Sequence, residues 1–281
     1  MSITIRKLNA GIAIGAASVA QVPGAVAAEG DTTSITLEGG AAISEFTRDK
    51  VGAPEGEVDD DLGLYGSVEV VRSISPGWDW SVGATGLNFA PNVITDDEDD
   101  ASYTSEFDVT TVNFDIGKQM NQSGVNLRFA AGIEALGSSR SKGLSFFDSP
   151  DSYFNSDATL DFLGAGPRVS ADASMALGDG SQWSVYGGAS AAKMRGVYTL
   201  DKGVSGQNPE PFGGRETDDE AGSLTHTVLD AGIQYQVSDS TSFRAGIRRD
   251  IFKPDGNIAD STFFEDTVTS DTAYVGVSIN F

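Results

Sequence analysis

The chain contains no cysteine and a single histidine. The first absence excludes a disulfide scaffold and any thiolate metal or catalytic centre. Cysteine is dispensable in an exported envelope protein, so the lack of it fits export without demanding it. Basic residues are also scarce, with 18 Lys and Arg against 41 Asp and Glu and a formal net charge of -23. Phosphate backbones are gripped by Lys and Arg, so this balance argues against nucleic-acid binding. Long apolar runs are missing too, apart from one near the N-terminus.

That run follows the basic pair Arg6 and Lys7 and extends from Leu8 to about Val22. It is short, rich in Ala and Gly, and leads into Pro23-Gly24-Ala25-Val26-Ala27-Ala28, an A-x-A cleavage pattern. It is too short to span a bilayer comfortably. The sequence therefore predicts a cleaved signal peptide over 1–28 and a single mature domain over 29–281. Any membrane residence must come from strands.

What the chain does have is alternation. Apolar residues recur at every second position in paired segments separated by short turns: 63–71 and 78–84, 112–120 and 125–136, 163–177 and 183–194, 228–237 and 243–251. Thr33 to Thr47 opens the series and Thr269 to Phe281 closes it. A period of two bounded by Gly, Pro, Asn, Asp and Ser is the hairpin signature. The expectation is an all-β, transmembrane, antiparallel up-and-down barrel of about ten strands, with eight or twelve still open. Between the pairs lie acidic stretches at roughly 48–60, 90–104, 139–157, 201–223 and 253–268, expected to be long extracellular loops. They include Asp96-Asp97-Glu98-Asp99-Asp100 and the group Glu216, Asp218, Asp219 and Glu220.

Parity assigns faces. Ala273, Val275, Val277, Ile279 and Phe281 share one face of the last strand; Val125, Leu127, Phe129, Ala131 and Ile133 share one face of another. These rows contain nothing polar, as lipid contact requires. Trp78, Trp80 and Trp183 stand beside short turns, where an interfacial girdle belongs. The opposite faces carry Glu69, Asp79, Asp115, Arg128, Glu134, Arg168, Asp172, Asp230, Arg244, Arg248 and Asp250. Charges in a narrow lumen are costly unless paired or hydrated. Arg128, Glu134, Arg168, Asp172, Asp230, Arg244 and Arg248 are accordingly the lumen or constriction candidates. They either stiffen the barrel or select ions. Tyr274 and Phe281 belong to a C-terminal strand that resembles the assembly signal of outer-membrane proteins.

The sole histidine, His226, lies on the face of Asp230. Ten-stranded outer-membrane proteases of the omptin type use a rim histidine with several Asp. Leu224, two residues before His226, stands where that family has an acid, so a solvated rim histidine without catalysis is expected. No enzyme activity, catalytic residue, cofactor or metal centre is expected, although the acidic loops are of the kind that takes Ca²⁺ or Mg²⁺.

The run Phe162-Leu163-Gly164-Ala165-Gly166-Pro167-Arg168-Val169, with Asp172, Leu177-Gly178 and Tyr186-Gly187-Gly188-Ala189, resembles the Legionella-type major outer-membrane protein family. The resemblance covers about a quarter of the chain and implies a pore-forming barrel of a Gram-negative outer membrane with surface-exposed loops. The best-known member's cysteines are absent here, so a disulfide-linked assembly is not carried over. Two functions follow as expectations, with a rim-site outer-membrane enzyme as a remote third. One is a porin-like barrel with a narrow charged lumen and acidic vestibule loops that favour cations. The other is a non-conducting structural or surface-interaction barrel. The expected partners are outer-membrane lipid and lipopolysaccharide, the barrel-assembly machinery and periplasmic chaperones.

Overall fold

The computed structural model describes residues 32–44, 61–96, 101–149, 152–178, 180–207, 210–255 and 267–281. The expected signal peptide, the stretch 48–60, the acidic run Asp97-Glu98-Asp99-Asp100 and most of the stretch 253–268 lie outside them. The described residues form ten strands: β1 (Thr33–Ser44), β2 (Asp61–Ser75), β3 (Trp78–Asp96), β4 (Ala101–Gln122), β5 (Val125–Ser149), β6 (Ser152–Ala176), β7 (Trp183–Gln207), β8 (Pro211–Ser238), β9 (Thr241–Asp255) and β10 (Val268–Asn280). Each pairs antiparallel with its sequence neighbours, and β1 pairs with β10 to close the ring. Closure removes the unpaired edges that a spanning sheet cannot leave in lipid.

Turn chemistry fixes one end of this ring. Ser123 and Gly124 join β4 to β5 with φ of 54° and 83°, the paired positive dihedrals that suit the twist of a two-residue hairpin. Gly77 follows Pro76 with φ of 73° between β2 and β3. Ser181 N donates to Gly178 O in the turn between β6 and β7. Both termini of the ring meet at the same end, where Phe281 N donates to Thr33 O at 2.8 Å. Short turns and chain ends together mark the periplasmic end of an outer-membrane barrel.

The alternation places faces as expected, and the barrel is inside out by the standards of a soluble protein. Ile133, Ile247 and Val275 are 62, 68 and 67% exposed on the outer wall, while Asp79, Asp115 and Asp250 are buried within. An apolar belt of this kind is stable only against lipid. Trp78 and Trp183 are exposed on that wall beside the turns, and Trp183 packs against Tyr235 with ring centres 4.7 Å apart.

One expectation is overturned. The stretches 90–104, 139–157 and 201–223 are not long loops. β3 and β4 continue to Asp96 and from Ala101, β5 and β6 to Ser149 and from Ser152, and β7 and β8 to Gln207 and from Pro211. Above the membrane neither face needs apolar residues, so alternation of hydrophobicity ends while strand pairing continues. Polar cross-strand contacts take over there. Arg215 Nε bonds Asp201 Oδ1 at 2.6 Å and Thr199 Oγ1 donates to Asp219 Oδ1 at 2.6 Å. The hydrogen bond and charge of Asp201 hold the Arg215 guanidinium above its ordinary pKa range. The result is lopsided: β8 has 28 residues and β5, β6 and β7 have 25 each, against 12 in β1 and 13 in β10.

Candidate functional site

The lumen is built in three storeys, each from inward positions that alternate with the lipid-facing rows. The storey nearest the turns is a polar cavity of about 720 Å³, reaching down to Gln119, Asn121 and Asn126 beside the β4–β5 turn. Arg128 of β5 anchors its wall. Its Nη2 and Nε bond Asp79 Oδ1 at 2.7 and 3.0 Å, and Gln119 Nε2 donates to Asp79 Oδ2 at 2.8 Å. Asp79 is fully buried, so this two-pronged pairing is what keeps its charge tolerable. On the other side Arg244 pairs with Glu38 at 3.2 Å and lies over the Tyr186 ring at 4.2 Å.

The second storey is a chain of charges that crosses the lumen. Arg168 of β6 bonds Asp115 of β4 and pairs with Glu134 Oε2 of β5 at 3.3 Å. Glu134 Oε1 meets His226 Nδ1 of β8 at 2.7 Å, and His226 Nε2 meets Asp250 Oδ1 of β9 at 2.9 Å. Arg248 then holds Asp250 through Nε and Nη2, both at 2.7 Å. From there Arg248 Nη1 contacts Tyr65 Oη at 3.5 Å, and Tyr65 donates to Glu38 Oε2 of β1 at 2.8 Å. Seven strands are thereby tied by one polar relay. A neutral imidazole has a single N–H and serves one carboxylate; the imidazolium serves both. Every carboxylate of the relay sits among donors, and the interior tolerates such groups on that condition.

The third storey, toward the outer end, is mainly aromatic and aliphatic, with the buried Arg140 guanidinium over the Phe107 ring at 5.4 Å. Phe89 and Phe107 stack at 5.8 Å, and Phe107 meets Phe252 edge-on at 5.8 Å. Phe162 and Tyr198 pack at 4.7 Å, and Leu136, Met194 and Leu224 fill the remaining space, all almost wholly buried. Aromatic rings in such tilted contacts give a dense interior layer. Among the described residues this layer caps the relay from above.

All seven lumen candidates face inward, but they do not form one constriction. Arg128, Asp172, Asp230 and Arg244 surround the cavity; Arg168 and Arg248 line it as well but also belong to the relay, and Glu134 belongs to the relay alone. Tyr274 is buried inside, its hydroxyl 2.8 Å from that of Tyr186, while Phe281 is exposed at the closing seam. The expected solvated rim histidine is corrected: His226 is 2% exposed and lies in mid-lumen. The rim it was thought to occupy stands far above it, because β8 begins at Pro211 and not near residue 224. Sequence reading missed Glu38, Tyr65 and Tyr186. Parity alone could have found Glu38, which alternates with the lipid-facing Leu37.

A family profile described as "Legionella pneumophila major outer membrane protein precursor" matches residues 60–241. No curated protein matches the chain. Among solved structures, similar folds include the outer membrane protease OmpT from Escherichia coli, at 10% identity and a TM-score of 0.46, covering 89% of this chain and 96% of that one. A major outer membrane protein from Thermus thermophilus is 10% identical with a TM-score of 0.43, covering 89 and 99%. Neisserial surface protein A is 10% identical with a TM-score of 0.35, covering 89 and 97%.

Proposed function

We propose, from the premise that this chain belongs to the Legionella pneumophila major outer membrane protein family, that it is a closed barrel of the Gram-negative outer membrane whose working surface is its outer sheet. The observation that carries this reading is the stacking of the charge relay beneath the aromatic layer. Ten strands enclose a lumen near the small end of the range, where side chains rather than water fill the interior. The sheet formed by the tops of β3 to β8 then offers the largest area to the exterior. Its tip at Pro211–Asp219 is exposed throughout and strongly acidic. Such a surface repels anionic lipopolysaccharide phosphates unless divalent cations bridge them. We assign His226 no catalytic role, since both its nitrogens are engaged and closed from solvent.

A cation-preferring pore is the second reading, and the lumen as a whole favours it, because with Asp79, Asp115, Glu134 and Asp250 its inward carboxylates outnumber its guanidinium groups. Single-channel recording of the refolded barrel in a planar bilayer under a salt gradient separates the two. The closed reading expects silence from a folded, heat-modifiable protein. Discrete openings with a cation-selective reversal potential would overturn it.

A further inference from the structure

Three carboxylates facing the cavity are left over once each guanidinium has taken its nearest partner. Arg128 is held by Asp79, Arg168 by Asp115 and Glu134, Arg244 by Glu38 and Arg248 by Asp250. Glu69, Asp172 and Asp230 remain. Asp172 reaches Arg128 at 3.5 Å, and Asp230 accepts a long 3.4 Å hydrogen bond from Tyr274. Asp172 and Asp230 also converge on one point. Gly188 of β7 lies between them in register, and a Cβ there would stand 2.5 Å from Asp230 Oδ1 and 2.7 Å from Asp172 Oδ1. Those distances leave no room for a side chain: both anionic oxygens lie against the Gly188 backbone, which brings two like charges close together at the cavity wall.

A separate feature faces the same cavity. Ser170, two residues from Asp172 on the same face of β6, is 9% exposed, and its Oγ has no hydrogen-bond partner. A buried hydroxyl without a partner is destabilising, and it becomes useful when a ligand supplies the missing group.

We propose that the lower lumen is a binding site, entered from the turn end, for a small linear polyamine. One ammonium sits between Asp172 and Asp230 and donates its third N–H toward Ser170, and a second ammonium along the chain is met by Glu69. The chemistry selects an amine over a metal ion. Mg²⁺ and Ca²⁺ demand six or more oxygens at short range, and no group of three or more ligand-type side chains with metal-binding spacing occurs among the described residues. A cavity of about 720 Å³ is the size of a small-molecule site rather than of an ion cage. An anion is disfavoured because every guanidinium in the wall is already paired. The site exists whether or not the barrel conducts.

Isothermal titration of the refolded barrel in detergent with spermidine, at low ionic strength, tests this. The unmodified protein should bind one spermidine, and Asp172→Asn or Asp230→Asn should weaken binding about tenfold or more, as loss of a charge-assisted hydrogen bond implies. Ser170→Ala deletes an unpartnered hydroxyl, leaves the heat-modifiable fold intact and should still weaken binding several-fold. The exterior variant Glu216→Gln with Asp218→Asn should bind as the unmodified protein does. The proposal is overturned if the unmodified barrel takes up no spermidine, if the folded cavity variants bind unchanged, or if only the exterior variant loses binding. Competition by Mg²⁺ at equal affinity would overturn the amine assignment.

Discussion

His226 lies flat on Phe252, with ring centres 4.6 Å apart and planes 5° from parallel. The two are register partners across β8 and β9. One face of the imidazole thus meets the aromatic layer while its two nitrogens reach sideways into the charge relay. The residue joins the polar and apolar storeys of the lumen, and the energetics of both pass through it.

Removing that joint should be expensive. His226→Ala leaves Glu134 to Arg168 and Asp250 to Arg248, and loss of a buried hydrogen bond to a charged group costs about 1.5–3 kcal/mol. Urea unfolding in detergent, followed by tryptophan fluorescence, should show the loss as a lower midpoint. In a Glu134→Gln, Asp250→Asn background the same substitution should cost much less. Equal losses in both backgrounds would mean that His226 acts by packing alone.

The aromatic layer should behave as a plug. Phe107→Ala together with Phe252→Ala removes two rings that meet over the relay. Each truncation costs about 3–5 kcal/mol of packing. If the layer is what closes the lumen, the double variant should give cation-selective current in a bilayer where the parent gives none. A silent double variant that still folds would place the barrier in the relay below.

Arg128 should be sensitive to shape as well as to charge. Arg128→Met leaves Asp79 buried and unpaired, and should lower the unfolding midpoint sharply. Arg128→Lys keeps the charge but loses the two-pronged grip on Asp79, so an intermediate drop is expected. By contrast Arg215→Ala, on the solvated outer sheet, should leave the midpoint unchanged within error. Matching effects at the two sites would contradict the difference in burial.

The tryptophans report depth. Trp78, Trp80 and Trp183 all sit at the turn end of their strands. Their fluorescence in vesicles should be quenched most by lipids brominated near the headgroup and least by those brominated near the bilayer centre. The reverse order would shift the membrane band along the barrel.

Much of this architecture was legible from alternation. The rows Val125 to Ile133 and Ala273 to Ile279 gave face and strand together, because lipid on one side enforces parity at every step. Height was not legible. Lipid stops imposing that pattern at the membrane surface, so nothing in residues 139–157 or 201–223 distinguishes a loop from a solvated hairpin. The same lack of a height signal applies to His226, which sits in mid-lumen because the barrel rises well above it. The inward set was also readable, but not its division into cavity and relay. That depends on the stagger between strands, which sets Arg168 beside Asp115 and Glu134 at the top of the cavity and leaves Asp172 beside Arg128 in its wall. Parity carries no information about stagger.

The unequal strands also say how the barrel would yield to force. Hydrogen bonds resist in proportion to how many must break at once, and the β7–β8 ladder runs through 25- and 28-residue strands while the β1–β10 seam joins 12 to 13. The seam is therefore the mechanical weak line, and it is also where the first and last strands meet. A pull on either terminus loads the shortest ladder first, peeling it pair by pair while the tall wall stays whole.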